Sequence, residues 1–250
     1  AFVEVAGGER GESGVRLAFI FALGMAIVAA VAQQILIPDD SRSASRSSQA
    51  QINPIRYWPL MSLELRRLLL ADILIRFCEQ IPYAFVVVWA VGTATAPGPV
   101  TSLQFGTLRM VEMATAILVY IPVASLADRL GKKPFVLTTF VFFTLFPLAL
   151  MFCHSYELLI GAFILRGLKE FGEPARKALI VDLAPDNAKA GMFGLYYLIR
   201  DVVVSLAAFG GSLLWMVSPQ ANFLAAFAFG VAGTLWYTWQ GRDIQIPGNK

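Results

Sequence analysis

The sequence predicts an all-α membrane protein, a polytopic bundle of transmembrane helices, and three observations predict it. The chain is 57% hydrophobic and 15% charged with a mean hydropathy of +0.65, whereas soluble domains average about half apolar and about a quarter charged. Its apolar stretches repeatedly approach the ~20 residues needed to cross a hydrocarbon core about 30 Å thick at 1.5 Å per residue. Lysine and arginine gather on alternate connections between those stretches, the distribution that sets orientation in a bilayer. The net charge of +3 is small and supports no nucleic-acid reading; the partner implied is the lipid bilayer.

The first span covers 15–37, VRLAFIFALGMAIVAAVAQQILI, and contains no acidic residue. Residues 38–62, opening with PDDSRSASRSSQAQINPIRYWP, carry too much serine, proline and charge to bury apolar area and read as a flexible linker. Six further spans follow at 63–91, 103–127, 135–153, 157–184, 188–217 and 221–239, forming a bundle over 63–240 with a tail at 241–250. Their short connections favour antiparallel neighbours. Pro82, Pro122, Pro147 and Pro174 fall inside these spans, where membrane helices tolerate proline and kink.

One set of connections holds Arg42, Arg46, Arg56, Arg66, Arg67, Arg129, Lys132, Lys133, Arg176, Lys177, Lys189, Arg242 and Lys250, while the opposite set, around 94–102, 154–156 and 218–220, holds none. Positive loops stay in the cytoplasm, so the linker, the 128–134 loop and the C-terminus are expected there, in a cell (inner) membrane. Arg10 and Arg16, beside Glu4, Glu9 and Glu12, are the exception. The chain opens on alanine with no n-region before its first span, which reads as a fragment of a longer product.

Charge also divides the spans by face, because an ionisable group at mid-bilayer must find protein or water. The first, fourth and seventh spans carry none across their apolar interiors and can face lipid. The second carries Asp72, Arg76 and Glu79, with Tyr83 on the same stripe, at the offsets of three and four that share a helix face. The third has Arg109 and Glu112, the fifth Arg166, Lys169, Glu170 and Glu173, and the sixth Arg200 and Asp201. Pairs such as Asp72 with Arg76 or Arg109 with Glu112 can be structural, but eleven ionisable groups on four spans point to a polar cavity. Glu79, near mid-span beside Arg76, is the candidate titrating carboxylate.

Other chemistries find little support. Cys78 and Cys153 sit in apolar stretches and read as small packing residues. His154 is the single histidine, and HExxH, GxSxG and Walker-type loops are absent, so no metal, cofactor or hydrolytic constellation is expected. Ala207, Ala208, Gly210, Gly211 and Ser212 in the sixth span, and Gly230 with Gly233 in the seventh, permit close helix packing. Trp58, Trp89, Trp215, Trp236 and Trp239 fall near span ends, as an interfacial belt requires.

The loop ASLADRLGKKP, residues 124–134, resembles the signature loop of the major facilitator superfamily (MFS) in Leu126, Ala127, Asp128, Arg129, Gly131, Lys132 and Lys133, with Ala124 replacing the usual first glycine. The resemblance implies two six-helix halves joined by a long cytoplasmic loop, with this motif between the second and third helices of a half. The chain then looks like helices six to twelve: 1–37 as the last span of the N-terminal half, and an MFS-like six-helix half after the linker. The absent N-terminal half becomes a partner. Family helices six, nine and twelve are peripheral, and the three charge-free spans take those places. The loop acquires a switch role, Asp128 making a contact in one conformation that it releases in another. The stretch 165–201 is similar to the family's helix ten to eleven region; Arg166 aligns with a motif arginine, while Lys169 and Glu170 depart from the motif's glutamine and glycine.

The function expected from these residues is secondary active transport of a small solute by alternating access, with proton coupling implied by the resemblance. The competing class is a non-transporting membrane protein, such as a channel, sensor or accessory subunit, whose ion pairs are structural. A membrane-embedded enzyme lacks a recognised catalytic constellation.

Overall fold

The structure is a computed structural model, and it describes residues 12–36, 54–93 and 96–241. It divides into two units, residues 1–52 and 53–250. The first contributes α1, Glu12–Leu36, whose stretch Phe19–Leu36 has a hydropathy of 2.1; at 1.5 Å per residue α1 is about 37 Å long, enough to cross a bilayer. Most of the linker and of the C-terminal tail, 37–53 and 242–250, lies outside the described residues.

The second unit opens with a 3-10 helix, Pro54–Leu60, so the last part of the expected linker is ordered. Eight α-helices follow among the described residues: α2 Leu63–Tyr83, α3 Phe85–Val91, α4 Ser102–Leu130, α5 Lys133–Met151, α6 Tyr156–Leu168, α7 Glu173–Asp182, α8 Lys189–Val217 and α9 Pro219–Gln240. Their starts are written locally. Ser62, Ser155 and Ser218 accept from the N–H groups of Leu65, Leu158 and Ala221, and Thr101 with Gln104 forms a reciprocal capping box at α4, satisfying donors that a helix leaves open.

Two expected spans are broken. The second becomes α2 and α3, bent by 41° just after Pro82, which removes a donor from the helix ladder. The fifth becomes α6 and α7, interrupted between Leu168 and Glu173. By length and composition α1, α5 and α8 qualify as bilayer spans among the described residues, and α2–α3 makes a fourth if read as one broken span. The helices α4 and α9, at 29 and 22 residues, also reach across about 30 Å. Pro122 and Pro147 sit inside the continuous helices α4 and α5.

Helix α9 packs chiefly against α2 and α5, α8 against α2, and α4 against α6. Two apolar cores form. One gathers Leu65, Leu68, Val136, Phe140, Leu179, Met192 and Tyr196, the other Val86, Leu108, Leu150, Leu159, Phe163 and Phe223, with Ile81, Ala207 and Ala226 as a third, smaller group. Lipid is as apolar as leucine, so close contact and internal hydrogen bonds hold such helices together rather than exclusion from water. At Gly211 a Cβ would collide with the Ile81 carbonyl oxygen, and Asn222 donates to that carbonyl at 3.1 Å and to the Gly211 carbonyl at 2.8 Å. Three helices meet there: α2, α8 and α9. Gly210, by contrast, faces open space.

The ends of the bundle are equally defined. Lys132 pairs with Asp182, Lys133 donates to the Gly241 carbonyl at 2.6 Å, and Ser62 donates to the Leu183 carbonyl at 3.2 Å. The α4–α5 loop, the end of α7, the start of α2 and the end of α9 thus share one end. At the other, Trp89 donates to the Leu150 carbonyl at 3.0 Å and stacks edge-on with His154. Gly131 has φ +88°, a left-handed conformation that glycine adopts without strain, which explains the motif glycine closing α4. The side chains of Asp128 and Arg129 lie outside the described set, and with them the switch role expected there. Cys78 and Cys153 are free thiols donating to the carbonyls of Phe143 and Ala149 at 3.3 and 3.2 Å.

Candidate functional site

Ion pairing begins on α2, where the three-and-four spacing points Asp72, Arg76 and Glu79 into the bundle. Asp72 is 1% exposed, and its Oδ2 accepts from Arg176 Nη1, from the Tyr196 hydroxyl at 3.0 Å and from Arg200 Nη1 at 3.5 Å. Arg176 also holds Glu173 in a two-pronged grip, at 3.2 Å through Nε and 2.7 Å through Nη2. Arg76 then bridges two carboxylates, Glu173 at 2.6 Å and Glu79 at 2.7 Å. Glu79 accepts in turn from Lys169, which lies 3.9 Å from Glu170. At the far end Arg200 is paired with Asp201 at 2.7 Å.

The result is a chain of alternating sign: Asp201, Arg200, Asp72, Arg176, Glu173, Arg76, Glu79, Lys169 and Glu170. It holds five anions and four cations. A buried charge is tolerable only when paired and hydrogen-bonded, and the interior members satisfy that condition on both sides. The ends do not stay inside. The side chain of Asp201 is 61% exposed and that of Glu170 31%. A second cluster joins Glu112, 2% exposed, to Arg109 and, at 3.3 Å, to Arg166.

Aromatic rings floor both clusters, a feature that nothing in the sequence marks. Phe143 on the charge-free α5 lies under the Arg76 guanidinium at 5.1 Å and the Lys169 ammonium at 5.2 Å. Phe146, also on α5, lies under Arg166 at 5.1 Å, and Tyr197 under Arg200 at 4.1 Å. These geometries attract a cation to the ring face.

Two residues take places that the sequence does not assign them. Arg176, counted among the positive loop residues, is 1% exposed and central to the chain; its spacing of three from Glu173 is the signal that could have found it. Tyr196, which nothing in the sequence singles out, is fully buried against Asp72. Asp72 and Arg76, expected as a pair, stand 3.8 Å apart through Nε, a weaker contact than those Asp72 makes to α7 and α8. Tyr83 is half exposed and leaves the chain; its ring faces Arg166 at 5.7 Å. Glu170 opens on a pocket of about 460 Å³ with Met113, Ala116, Ile117 and Tyr120.

Five helices and the turn between α6 and α7 thus bring ionisable groups together inside an apolar bundle, which defines a polytopic α-helical membrane protein with a buried polar network. Residues 68–244 match the model of the Major Facilitator Superfamily, and the chain belongs to that family. An uncharacterised MFS-type transporter of Methanocaldococcus jannaschii is 27% identical over 105 residues, which is 42% of this chain. The matched segment spans 26% of that relative's length.

Proposed function

We propose that the protein is a secondary active transporter that moves a small solute by alternating access, and that this chain supplies its C-terminal portion, helices six to twelve: one six-helix half and the last span of the other. The observation that carries the reading is where the charge chain ends. Asp201 is the thirteenth residue of a 29-residue helix, about 18 Å along it, and its carboxylate is 61% exposed on the bundle surface. A charge facing lipid at that depth costs at least about 2.5–3.5 kcal/mol. A water-filled pathway or an opposing half removes that cost, and the family supplies both. A scaffold of ion pairs would account for the buried members without bringing the ends out.

The coupling we propose runs through Glu79. Its two oxygens hold Arg76 and Lys169, so a proton taken there would release two cations at once and favour a different pairing. The linker end, the α4–α5 loop and the C-terminus would face the cytoplasm, on the positive-inside count, less Arg176.

The test is flux of a broad metabolite panel by vesicles containing the full-length protein, with and without an imposed proton gradient, beside Glu79→Gln and Arg200→Ala. Gradient-dependent flux that Glu79→Gln uncouples is expected. Flux in Glu79→Gln with its proton dependence intact would remove that residue from coupling, and no flux of any solute by folded protein would favour a structural or sensory role.

A further inference from the structure

The second cluster carries an excess of positive charge, where the first carries an excess of negative. Arg109 and Arg166 both draw on Glu112, and Glu112 is their carboxylate; the group carries a formal charge of plus one. Arg166 is 5% exposed and ringed by Tyr83, Phe146 and Phe163 at 5.7, 5.1 and 5.8 Å. Glu79 shares a narrow cavity wall with Arg166, but it is already held by Arg76 and Lys169. Among the described residues no further carboxylate is paired with either arginine. An under-neutralised guanidinium in low dielectric is costly, and aromatic faces offset only part of that cost.

Beside this cluster lies an open pocket of about 230 Å³. Arg109 and Arg166 form its polar wall, and Tyr83, Val86, Val87 and Phe105 its apolar one. The Arg109 side chain is 38% exposed, so its guanidinium is accessible to a ligand while still tied to Glu112. Planar guanidinium forks match carboxylate and phosphonate geometry. We infer that this pocket binds a small organic monoanion, its head on Arg109 and Arg166 and its apolar body against Phe105, Val86 and Val87, bringing the cluster to neutrality. The inference rests on the transporter reading and names its substrate class.

The probe is radiolabelled benzoate, with benzamide and benzylamine as neutral and cationic competitors of the same shape. Binding is measured on the full-length protein in phosphatidylcholine nanodiscs. Saturable benzoate binding is expected, with little displacement by either competitor. Arg109→Gln should weaken it about tenfold or more, the worth of one charge-assisted contact, and Arg109→Lys should retain part of it. Arg166 keeps Glu112 in that variant, so the fold is preserved, and an unchanged melting temperature checks this. Glu112→Gln, which removes the internal competitor for the two guanidiniums, should tighten binding. Equal displacement by benzamide or benzylamine, unchanged affinity in Arg109→Gln, or no saturable binding would overturn the inference. So would displacement of benzoate by phosphatidylglycerol in the disc, which would make the ligand a lipid headgroup. Panel flux by the same protein in sealed vesicles separates the two readings: transport of a neutral or cationic solute indifferent to Arg109→Gln leaves a transporter and removes the anion site.

Discussion

Replacing Arg176 with methionine tests the charge chain at its most buried point. The side chain is 1% exposed and serves two carboxylates, Asp72 and Glu173. Methionine keeps much of its length and removes its charge, so the nine-residue chain goes from a formal minus one to minus two. Hydrogen bonds between membrane helices average only about 0.6 kcal/mol, which sets a floor. Stripping one partner from a buried ion pair costs about 3–5 kcal/mol in soluble proteins, because the abandoned charge stays buried. Asp72 keeps Tyr196 and Arg200, and Glu173 keeps Arg76, so the lower end of that range, about 3 kcal/mol, applies. Asp72→Asn in the same background should recover at least about 1 kcal/mol, since it returns the chain to minus one and a double-mutant cycle isolates that coupling. Reversible unfolding in mixed micelles, followed by tryptophan fluorescence, reads all four proteins. Additive effects, or a loss under about 1 kcal/mol in Arg176→Met, would mean that the two residues are not coupled as the geometry requires.

Gly211→Ala should destabilise by about 1–3 kcal/mol, the usual cost of overpacking, because the new methyl meets the Ile81 carbonyl; Gly210→Ala, open on that side, should be near neutral, and thermal melts compare them. Asn222→Ala should cost about 1–3 kcal/mol by the same assay, since it leaves the buried Ile81 and Gly211 carbonyls without their side-chain donor. Gly131→Ala places a β-carbon at φ +88° and should lower stability by about 1 kcal/mol; Gly106→Ala, with nothing within reach of its Cβ, is the control.

The helices are legible in the sequence because apolar length is a one-dimensional signal, and every span expected within 63–240 contains helix. The α2 stripe is legible for the same reason: a spacing of three and four fixes a face without a partner being known. Partner choice is not, since it depends on helix rotation and on which helices touch. Asp72 prefers α7 and α8 over its own neighbour Arg76 for that reason. Arg176 passes for a loop residue because it follows Pro174 and precedes Lys177, a local pattern that looks like a connection; only the interruption at residues 169–172 turns that segment inward. The phenylalanines of α5 carry no mark at all, because an aromatic under a cation reads in sequence like any core residue.

Five carboxylates share four cations along the chain from Asp201 to Glu170, so one negative charge is always left over. In the arrangement described, both terminal carboxylates emerge from the bundle, and either can be the one without a claim on a cation. Arg200, Arg176, Arg76 and Lys169 each hold a carboxylate on either side, so the excess is shared along the row rather than fixed on one member. The row's excess charge therefore reaches the bundle surface at either end, on Asp201 or on Glu170.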